Sequence, residues 1–290
     1  MSRVALATCR ALPQLSEDGP LLVEALAAVG VDAEPQVWDD TRTDWAVYDL
    51  VVVHSTWDYT WRLTEFLAWA RSVPRLANPA ALLTWNTDKT YLRDLAAAGL
   101  PVVPTRFLTP GEVFEPPGTS YVVKATVSAG ARDAAAYAPG QDAGAHVRSL
   151  HAAGRTAMVQ PYLPAVDGEG ETSVLCFDGV VSHGARKGAL LELGAGVRND
   201  LVSSAVVTPR EPSAAQVAVT HAALAVVGEP LLYARVDLVP GPDGAPLVLE
   251  LELTEPSLFL RHAPGSAERF AAAVARRAAR SSPGGSAPRR

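Results

Sequence analysis

Three acidic side chains interrupt a pair of apolar strand patterns in the last quarter of this 290-residue sequence. In YARVDLVPGPDGAPLVLELEL, Asp237 lies in the first pattern, a turn rich in Gly and Pro follows, and Glu250 and Glu252 lie in the second. Side chains alternate between faces along a strand, so the two glutamates share a face and a hairpin brings Asp237 beside them. Carboxylates this close in an apolar setting repel each other, which predicts a compensating cation. An all-oxygen ligand set favours Mg²⁺, with Mn²⁺ as the alternative.

The same hairpin carries an arginine. The other interpretation of the acidic set is that one carboxylate faces water or pairs with Arg235 while the apolar positions fill a core. Acids are disfavoured in strand interiors, so two of them opposite a third favour the metal site. Arg235 shares a face with Asp237, where its guanidinium would offer donors to a transferring phosphoryl group or to an acyl-phosphate oxygen. Arg235 is therefore a predicted catalytic residue.

Composition argues against several classes of partner and site. The formal net charge of −6 and the lack of a basic helix before the final tail argue against a nucleic-acid-binding surface. No apolar run approaches the roughly 18 residues of a membrane span, and the start MSRVALATCR shows no secretory signal. Cys9 and Cys176 are too isolated for a zinc site or a disulfide framework. We expect a cytoplasmic monomer or homodimer that acts on a small, charged, amino-acid-like molecule.

Strand and helix patterns change character along the chain. Early strands such as VALAT and LVVVHS alternate with helical patterns, which predicts a parallel sheet. A helix over TDKTYLRDLAAAG then ends at Gly99 and is followed by the strand pair PVVPT and SYVVKAT. Later strands are joined by turns and flank a helix from Ser213 to Val227, which predicts antiparallel pairing. The predicted segments of this α/β (α+β) fold are a parallel α/β domain on the substrate side (1–86), two α+β subdomains (87–158 and 159–278) and a disordered tail (279–290).

Phosphate binding must use something other than the common glycine-rich loops. Neither GxxxxGK[ST] nor GxGxxG occurs in the sequence. Lys89 follows an aspartate near a helix start, and Lys124 ends the strand YVVK before the small-residue loop ATVSAGARD. A lysine that leaves a strand in this way can meet phosphate while the backbone amides of Ser128, Ala129 and Gly130 cradle it. Either lysine, taken alone, is also compatible with an ordinary solvated charge.

Together these segments resemble the ATP-grasp superfamily. TDKTYLRDLAAAGLPVVPT resembles its first lysine region, YVVKATVSAGARD its second lysine and phosphate-covering loop, and VQPYLPAVD its hinge, while RVD followed by ExE resembles its metal-binding hairpin. The resemblance implies the fold just described, with ATP clasped between the two subdomains. It implies that Gln160 faces the adenine amino group, that the backbone of Tyr162 and Leu163 reads the adenine edge, and that Asp167 holds the ribose. Lys187 would be a further phosphate-binding lysine with a catalytic role.

Within the superfamily, STWDYTW, NPAALLTWNTDKTYL and ELELTEPSLFL resemble the branch of O-ureidoserine cyclo-ligases from cycloserine biosynthesis. The superfamily often has Asn where this chain has Glu252, and its loop is often richer in glycine than VSAGARD. Trp57, Asp58 and Tyr59 follow an apolar strand, so they are candidates for substrate binding, with Asp58 suited to an ammonium group. Arg198 is a candidate for binding a substrate carboxylate.

The implied reaction is ADP-forming ligation. A substrate carboxylate would attack the γ-phosphorus of ATP to give an acyl phosphate, and a nitrogen would then attack the acyl carbon. The nitrogen belongs to the same molecule in a cyclo-ligase and to a second one in a glutathione-synthetase-like or peptide-tagging ligase. A non-catalytic nucleotide-binding module is the third alternative.

Overall fold

The first part of the chain folds into a parallel sheet. The computed structural model describes residues 1–199 and 205–281. Its first elements are β1 (Ser2–Thr8), α1 (Gly19–Ala28), β2 (Val31–Val37), β3 (Leu50–Ser55), α2 (Leu63–Ser72), β4 (Leu76–Ala77) and α3 (Ala80–Asn86). The strands pair in the order β2-β1-β3-β4, and every pairing is parallel. All six residues of β3 are buried, as in a sheet that is covered on both faces. The predicted parallel beginning of the fold is confirmed.

The middle of the chain forms an antiparallel sheet. Its elements are α4 (Leu92–Ala97), β5 (Arg106–Leu108), β6 (Tyr121–Ala125), β7 (Ala135–Tyr137), α5 (Gly144–Ala152) and β8 (Ala157–Pro161). The strand order is β5-β8-β6-β7. The predicted helix over TDKTYLRDLAAAG begins later than expected, since a 3-10 turn at Lys89–Tyr91 precedes α4, and it ends at Gly99 with φ +84°. All of β8 pairs within this sheet, so the proposed boundary between residues 158 and 159 falls inside a strand.

The strand predicted at PVVPT is wrong. Pro101 and Pro104 lack the N–H groups that a ladder needs, and the segment forms a single bridge from Val102 to Val248. It therefore lies beside the later hairpin and does not pair with SYVVKAT. The strand that enters the middle sheet is β5, one residue beyond that segment.

The last part of the chain forms a second antiparallel sheet. Its elements are α6 (Ala165–Glu169), β9 (Glu171–Phe177), β10 (Val180–Lys187), β11 (Val207–Pro209), α7 (Ala214–Val227), β12 (Tyr233–Pro240), β13 (Pro246–Glu252) and α8 (Ser266–Ser281). The strand order is β11-β10-β9-β12-β13. Ser213 caps α7 in a capping box with Gln216, as the predicted helix start requires. Helix α8 continues to Ser281, so the predicted tail begins inside it, and residues 282–290 lie outside the described part. Within the described ranges, each helix is too short or too polar to cross a bilayer.

Two buried asparagines join the first sheet to the last. Asn78, after β4, donates to the carbonyl oxygens of Tyr233 and Leu253 at 3.0 and 2.8 Å and accepts from the amide of Leu232 at 2.8 Å. Asn86, the last residue of α3, donates to the carbonyl of Leu251 and accepts from the amide of Leu253, both at 2.7 Å. The two amide side chains thus satisfy the hydrogen bonds of backbone groups in and next to the hairpin of β12 and β13.

A shared hydrophobic core reinforces this junction. Val4 and Leu6 of β1 belong to the same buried cluster as Leu175 and Phe177 of β9 and Phe270 of α8. The middle sheet shares another buried cluster with the last sheet, because Phe107 of β5 and Met158 of β8 pack with Val174 of β9. A separate cluster against α5 is built around Tyr121, Val123 and Val147. The hairpin is therefore held firmly against the first sheet, at the side of the fold where β3 ends.

Candidate active site

A single cavity of about 470 Å³ opens between the three sheets. Its wall combines Trp57 and Tyr59, which follow β3, with Lys124 of β6 and Gln160 of β8. Glu250 of β13 lies in the same wall. The cavity therefore collects the residues that the sequence analysis assigned to different segments, and its volume lies within the roughly 300–1,000 Å³ typical of ligand sites.

The hairpin register brings the three predicted metal ligands together. Asp237 pairs with Glu250, and Arg235 pairs with Glu252, across β12 and β13. One carboxylate oxygen from each acid lies within 4.8 Å of the other two. The convergence that period-two alternation predicts is therefore present in the structure.

Asp237 lies behind the cavity wall, beneath Arg235. It is fully buried, and both its oxygens accept hydrogen bonds from the Arg235 guanidinium at 2.9 Å. Lys187 Nζ lies 3.0 Å from its Oδ2, and Ser173 Oγ donates to its Oδ1 at 2.6 Å. Burial alone would raise the pKa of Asp237, but Arg235 and Lys187 outweigh burial and hold that pKa well below its usual range. Ligation of a metal by Asp237 thus requires one of these contacts to be exchanged.

Three other acids in the wall also have cationic partners. Lys89 Nζ lies 3.1 Å from Glu250 Oε1, Lys187 Nζ lies 2.6 Å from Glu171 Oε2, and Arg235 Nη2 lies 2.5 Å from Glu252 Oε1. Burial raises the pKa of Glu252 to about 7, although Arg235 opposes the shift. Four carboxylates therefore stand beside four cations, once Lys124 is included. The acidic cluster is already neutralised, which is a different balance from the uncompensated cluster that the sequence predicts.

Lys124 differs from the other three cations. Its side chain faces the cavity, and among the described residues no hydrogen-bond acceptor or carboxylate is within bonding distance of its ammonium group. Burial lowers the pKa of Lys124, with partial opposition from the charge of Glu250. A half-buried ammonium group that lines a cavity without a protein partner is available to bind an anion.

The small-residue loop after β6 closes over these lysines. Ser128 Oγ donates to the carbonyl of Ala125 at 3.1 Å, and the carbonyl of Ser128 accepts from Lys89 Nζ at 2.5 Å. Gly130 takes a left-handed conformation with φ +61°, which suits a glycine where the chain turns tightly. Ser128, Ala129 and Gly130 all line the cavity, as predicted for a phosphate cradle. Beyond the loop, the Arg132 guanidinium lies 4.2 Å from the ring centroid of Trp61.

The four residues assigned to adenine and ribose line one end of the cavity. Gln160 is buried and its Nε2 donates to Thr105 Oγ1 at 2.8 Å. The amide of Tyr162 is already bonded to the carbonyl of Ser120 at 3.0 Å, whereas the amide of Leu163 has no hydrogen bond among the described residues. Asp167 accepts from the Tyr162 hydroxyl at 2.5 Å. Leu163 is thus the backbone donor that is available to an adenine edge.

The structure separates the four predicted substrate residues. Trp57 and Tyr59 line the cavity. Asp58 points away from it, because its Oδ1 accepts from Trp38 Nε1 at 2.8 Å and its Oδ2 lies 3.7 Å from Arg62. Arg198 also lies outside the described wall, and its Nη1 donates to the carbonyl of Leu190 at 3.1 Å. Asp58 therefore stabilises its own turn, and a substrate ammonium group in the cavity would have to be bound by another acid.

Sequence reasoning missed Glu171 and Glu255 in this wall. Glu171 begins β9 and lies two residues before Ser173, so both side chains share the face that meets Asp237 and Lys187. That period-two relation was available in the sequence. Glu255 follows β13 in the irregular segment LTEPS, where no periodicity fixes the direction of a side chain.

Comparisons with known proteins agree with this architecture. A family profile described as "D-cycloserine synthetase DcsG, N-terminal domain" matches residues 4–78. The chain is 39% identical over 298 residues to the cycloserine biosynthesis protein DcsG of Streptomyces lavendulae, a match that covers 96% of this chain and 99% of that protein. The crystal structure of D-cycloserine synthetase DcsG matches with a TM-score of 0.87 and 39% identity, over 95% of this chain and 99% of that one.

More distant structures share the fold. The D-alanine–D-alanine ligase of Bacillus anthracis complexed with ATP matches with a TM-score of 0.66 at 16% identity, over 97% of this chain and 98% of that one. The resemblance to ATP-grasp enzymes and the predicted mixed α/β fold are therefore confirmed. The chain belongs to the family of the cycloserine biosynthesis protein DcsG, and it is an ATP-grasp ligase.

Proposed function

We propose that this enzyme uses ATP to phosphorylate the carboxylate of a small ureido-amino acid such as O-ureidoserine, and that it closes a ring through a new C–N bond. ADP and phosphate are the other products. The observation that carries the proposal is the grouping of an unpartnered Lys124 with three paired cations around one cavity. The identity to a cycloserine biosynthesis protein supports the substrate class.

ATP has a complementary place along the cavity. Gln160 and the free amide of Leu163 suit the adenine ring, and Asp167 suits the ribose. Lys124, Lys89 and the loop at Ser128 suit the phosphates, because ammonium groups and backbone amides are the usual ligands of phosphate oxygens.

The acidic side chains fit Mg²⁺ as the metal. Glu250 and Glu252 line the cavity and offer only oxygen ligands, which Mg²⁺ prefers, while Asp237 would join them after exchanging a contact with Arg235 or Lys187. When bound, Mg²⁺ supplies positive charge to the phosphate oxygens of ATP. Since Glu250 and Glu252 already have cationic partners in the wall, we expect Mg²⁺ to enter together with the nucleotide.

Arg235 and Lys187 are positioned to handle the charge that develops during the reaction. In the first step a carboxylate oxygen bonds to the γ-phosphorus while the bond to the ADP oxygen breaks. In the second step a nitrogen bonds to the acyl carbon, its proton leaves, and phosphate departs. The Arg235 guanidinium is fixed by Asp237, Glu252 and Ser257, and its remaining Nη1 N–H would stabilise the oxyanion of the second step at the cavity wall. Lys187 would neutralise the transferred phosphate.

The size of the cavity favours a small substrate. A volume of about 470 Å³ must hold a nucleotide together with the second substrate, and it lies in the lower half of the usual range. This volume suits an amino acid beside the nucleotide better than it suits a folded peptide. We therefore favour ring closure within one small molecule over ligation to a peptide.

The test is an ADP-release assay with mass detection of the products. With Mg²⁺ and ATP, O-ureido-D-serine and O-ureido-L-serine are supplied singly and in pairs with other amino acids. We expect ADP and a cyclic product from one of the ureido compounds alone. The variant Glu250→Gln serves as the control for contaminating ATPases. ADP formation that requires a second amine, or no ADP from any of these substrates, would contradict the proposal.

A further inference from the structure

One buried acid in the cavity wall has no cationic partner. Glu255 is 6% exposed, lines the cavity three residues beyond Glu252, and forms no ion pair with any described residue. Its side chain is in hydrogen-bond contact with the Tyr59 hydroxyl, and its carbonyl accepts from Trp57 Nε1 at 3.1 Å. The side chain is therefore held in place, but its charge is not compensated.

Four other acids at the cavity differ from Glu255 in this respect. Glu171, Asp237, Glu250 and Glu252 each have a lysine or arginine nitrogen within about 3 Å. Asp18 at the opposite rim lies 3.7 Å from an arginine. A buried carboxylate without a cation is costly unless a ligand supplies the charge. Burial and the charge of Glu252 raise the pKa of Glu255 to about 8, in keeping with this lack of compensation.

We propose that Glu255, oriented by Tyr59 and flanked by Trp57, binds the ammonium group of the amino-acid substrate. An ammonium group would form a charge-assisted hydrogen bond with the carboxylate, and the two aromatic rings provide a surface that suits a cation. The inference rests on the proposed function, because it assumes that the substrate is an amino acid.

The surroundings of Glu255 also place the carboxylate end of such a substrate. Arg235 Nη1 donates to the carbonyl of Ser257 at 3.2 Å, so the segment that carries Glu255 also contacts the guanidinium proposed to act at the acyl carbon. In an α-amino acid the ammonium and carboxylate groups are attached to the same carbon. One short segment can therefore hold the ammonium group on one side while Arg235 meets the reacting carboxylate on the other.

The test measures substrate binding apart from turnover. Binding of the O-ureidoserine enantiomers is measured by calorimetry with Mg²⁺ and a non-hydrolysable ATP analogue, beside 3-(ureidooxy)propanoate, which lacks the amino group. For the variant Glu255→Gln we expect binding of the better enantiomer to weaken by about 30-fold or more, because a buried charge partner is lost. Binding of the desamino compound should not weaken. Asp178→Asn, a substitution at an acid that pairs with Arg276 and does not line the cavity, is the matched control and should leave both affinities unchanged.

Several results would overturn the inference. Unchanged binding of O-ureidoserine to Glu255→Gln would do so, as would an equal loss for both compounds, which indicates a purely structural side chain. If the variant does not fold, the wild type still decides the question, because equal affinity for O-ureidoserine and its desamino analogue excludes an ammonium site.

The proposed function is tested separately by ADP release from O-ureidoserine. If the wild type releases ADP from O-ureidoserine but Glu255→Gln binds the substrate as tightly as the wild type does, only the inference about Glu255 is refuted. Binding that depends on Glu255 without ADP release refutes the proposed function alone. Failure of the wild type to bind either enantiomer would refute both.

Discussion

Two lysines assigned to the same phosphates stand in different surroundings, and this difference gives a sharp test. Lys89 is 7% exposed in its side chain and pairs with Glu250, which is 20% exposed, at 3.1 Å. Lys124 faces the same cavity but has no such partner among the described residues. The substitutions Lys89→Met and Lys124→Met remove one charge each and preserve most of the side-chain volume. They should differ in their effect on the stability of the free protein and have the same effect on the binding of ATP.

The magnitudes follow from these contacts. Removing one member of a buried ion pair costs about 3 to 5 kcal/mol, and partial exposure of Glu250 reduces this to about 2 to 3 kcal/mol for Lys89→Met. In a chain of this size, we expect a loss of about 4 to 8 °C in Tm. Lys124→Met breaks no pair and removes a charge that burial disfavours, so the free energy of unfolding should change by less than about 1 kcal/mol. Each variant loses a charged contact with phosphate, worth about 1.5 to 3 kcal/mol, or about 10- to 100-fold in Kd for ATP.

Calorimetry measures both quantities: scanning experiments give the Tm of the free protein, and titration with ATP and Mg²⁺ gives Kd. A drop in Tm for Lys124→Met as large as that for Lys89→Met would show that Lys124 supports the fold. Wild-type affinity for ATP in Lys124→Met would remove Lys124 from the phosphate site. Either result would refute the reasoning from its missing partner.

Two further predictions concern the metal site and acid stability. Glu250→Gln should fold yet form no ADP, and it should lose the Mg²⁺-dependent part of the stabilisation by ATP. In the wild type, stabilisation by ATP reaches about 2.7 kcal/mol at a ligand concentration near 100 times Kd. Mg²⁺ without ATP should shift the Tm of the wild type by less than about 2 °C, and a large shift would contradict the pairing of the acids with cations. Burial lowers the pKa of His54 and of His183 to about 4, below the ordinary value near 6.5, so each neutral side chain stabilises the fold above pH 6.5 and this contribution is lost as the pH falls toward 4. The loss should reach about 3 kcal/mol per histidine at pH 4, and His54→Asn should flatten the decline in denaturant midpoint between pH 6.5 and 4; an unchanged slope would disprove the contribution of His54.

The sequence predicted the hairpin that brings the three carboxylates together because strand geometry is local. Two residues per repeat and one tight turn suffice to bring Asp237 beside Glu250, and no distant contact is needed. The same holds for the capping signals, since Ser213 and Gly99 act on residues within one helical turn. The carboxylate geometry and the helix limits were therefore predictable from short stretches of sequence.

Side-chain direction in irregular segments was not predictable. Asp58 and Tyr59 are neighbours in a 3-10 turn, and only the distant positions of Trp38 and Glu255 decide that the first turns away from the cavity and the second turns into it. The neutralisation of the acids has the same origin, because Lys89 meets Glu250 across about 160 residues of sequence. Such contacts depend on how whole sheets pack together, and the periodicity of residues within one strand or helix does not predict that packing.

The asparagine junction determines which part of this enzyme can move. Asn78 and Asn86 are buried, and their side chains form hydrogen bonds that join the hairpin of β12 and β13 to the first part of the fold. By contrast, Arg132 rests on Trp61 through an exposed cation–π contact, which is worth only about 0.5 to 1 kcal/mol. We therefore expect the loop that carries Arg132 to leave the turn at Trp61 more readily than the hairpin of β12 and β13 leaves the first sheet. Exchange of a bound nucleotide would then proceed by movement of this loop, while the carboxylates and Arg235 stay fixed to the first sheet.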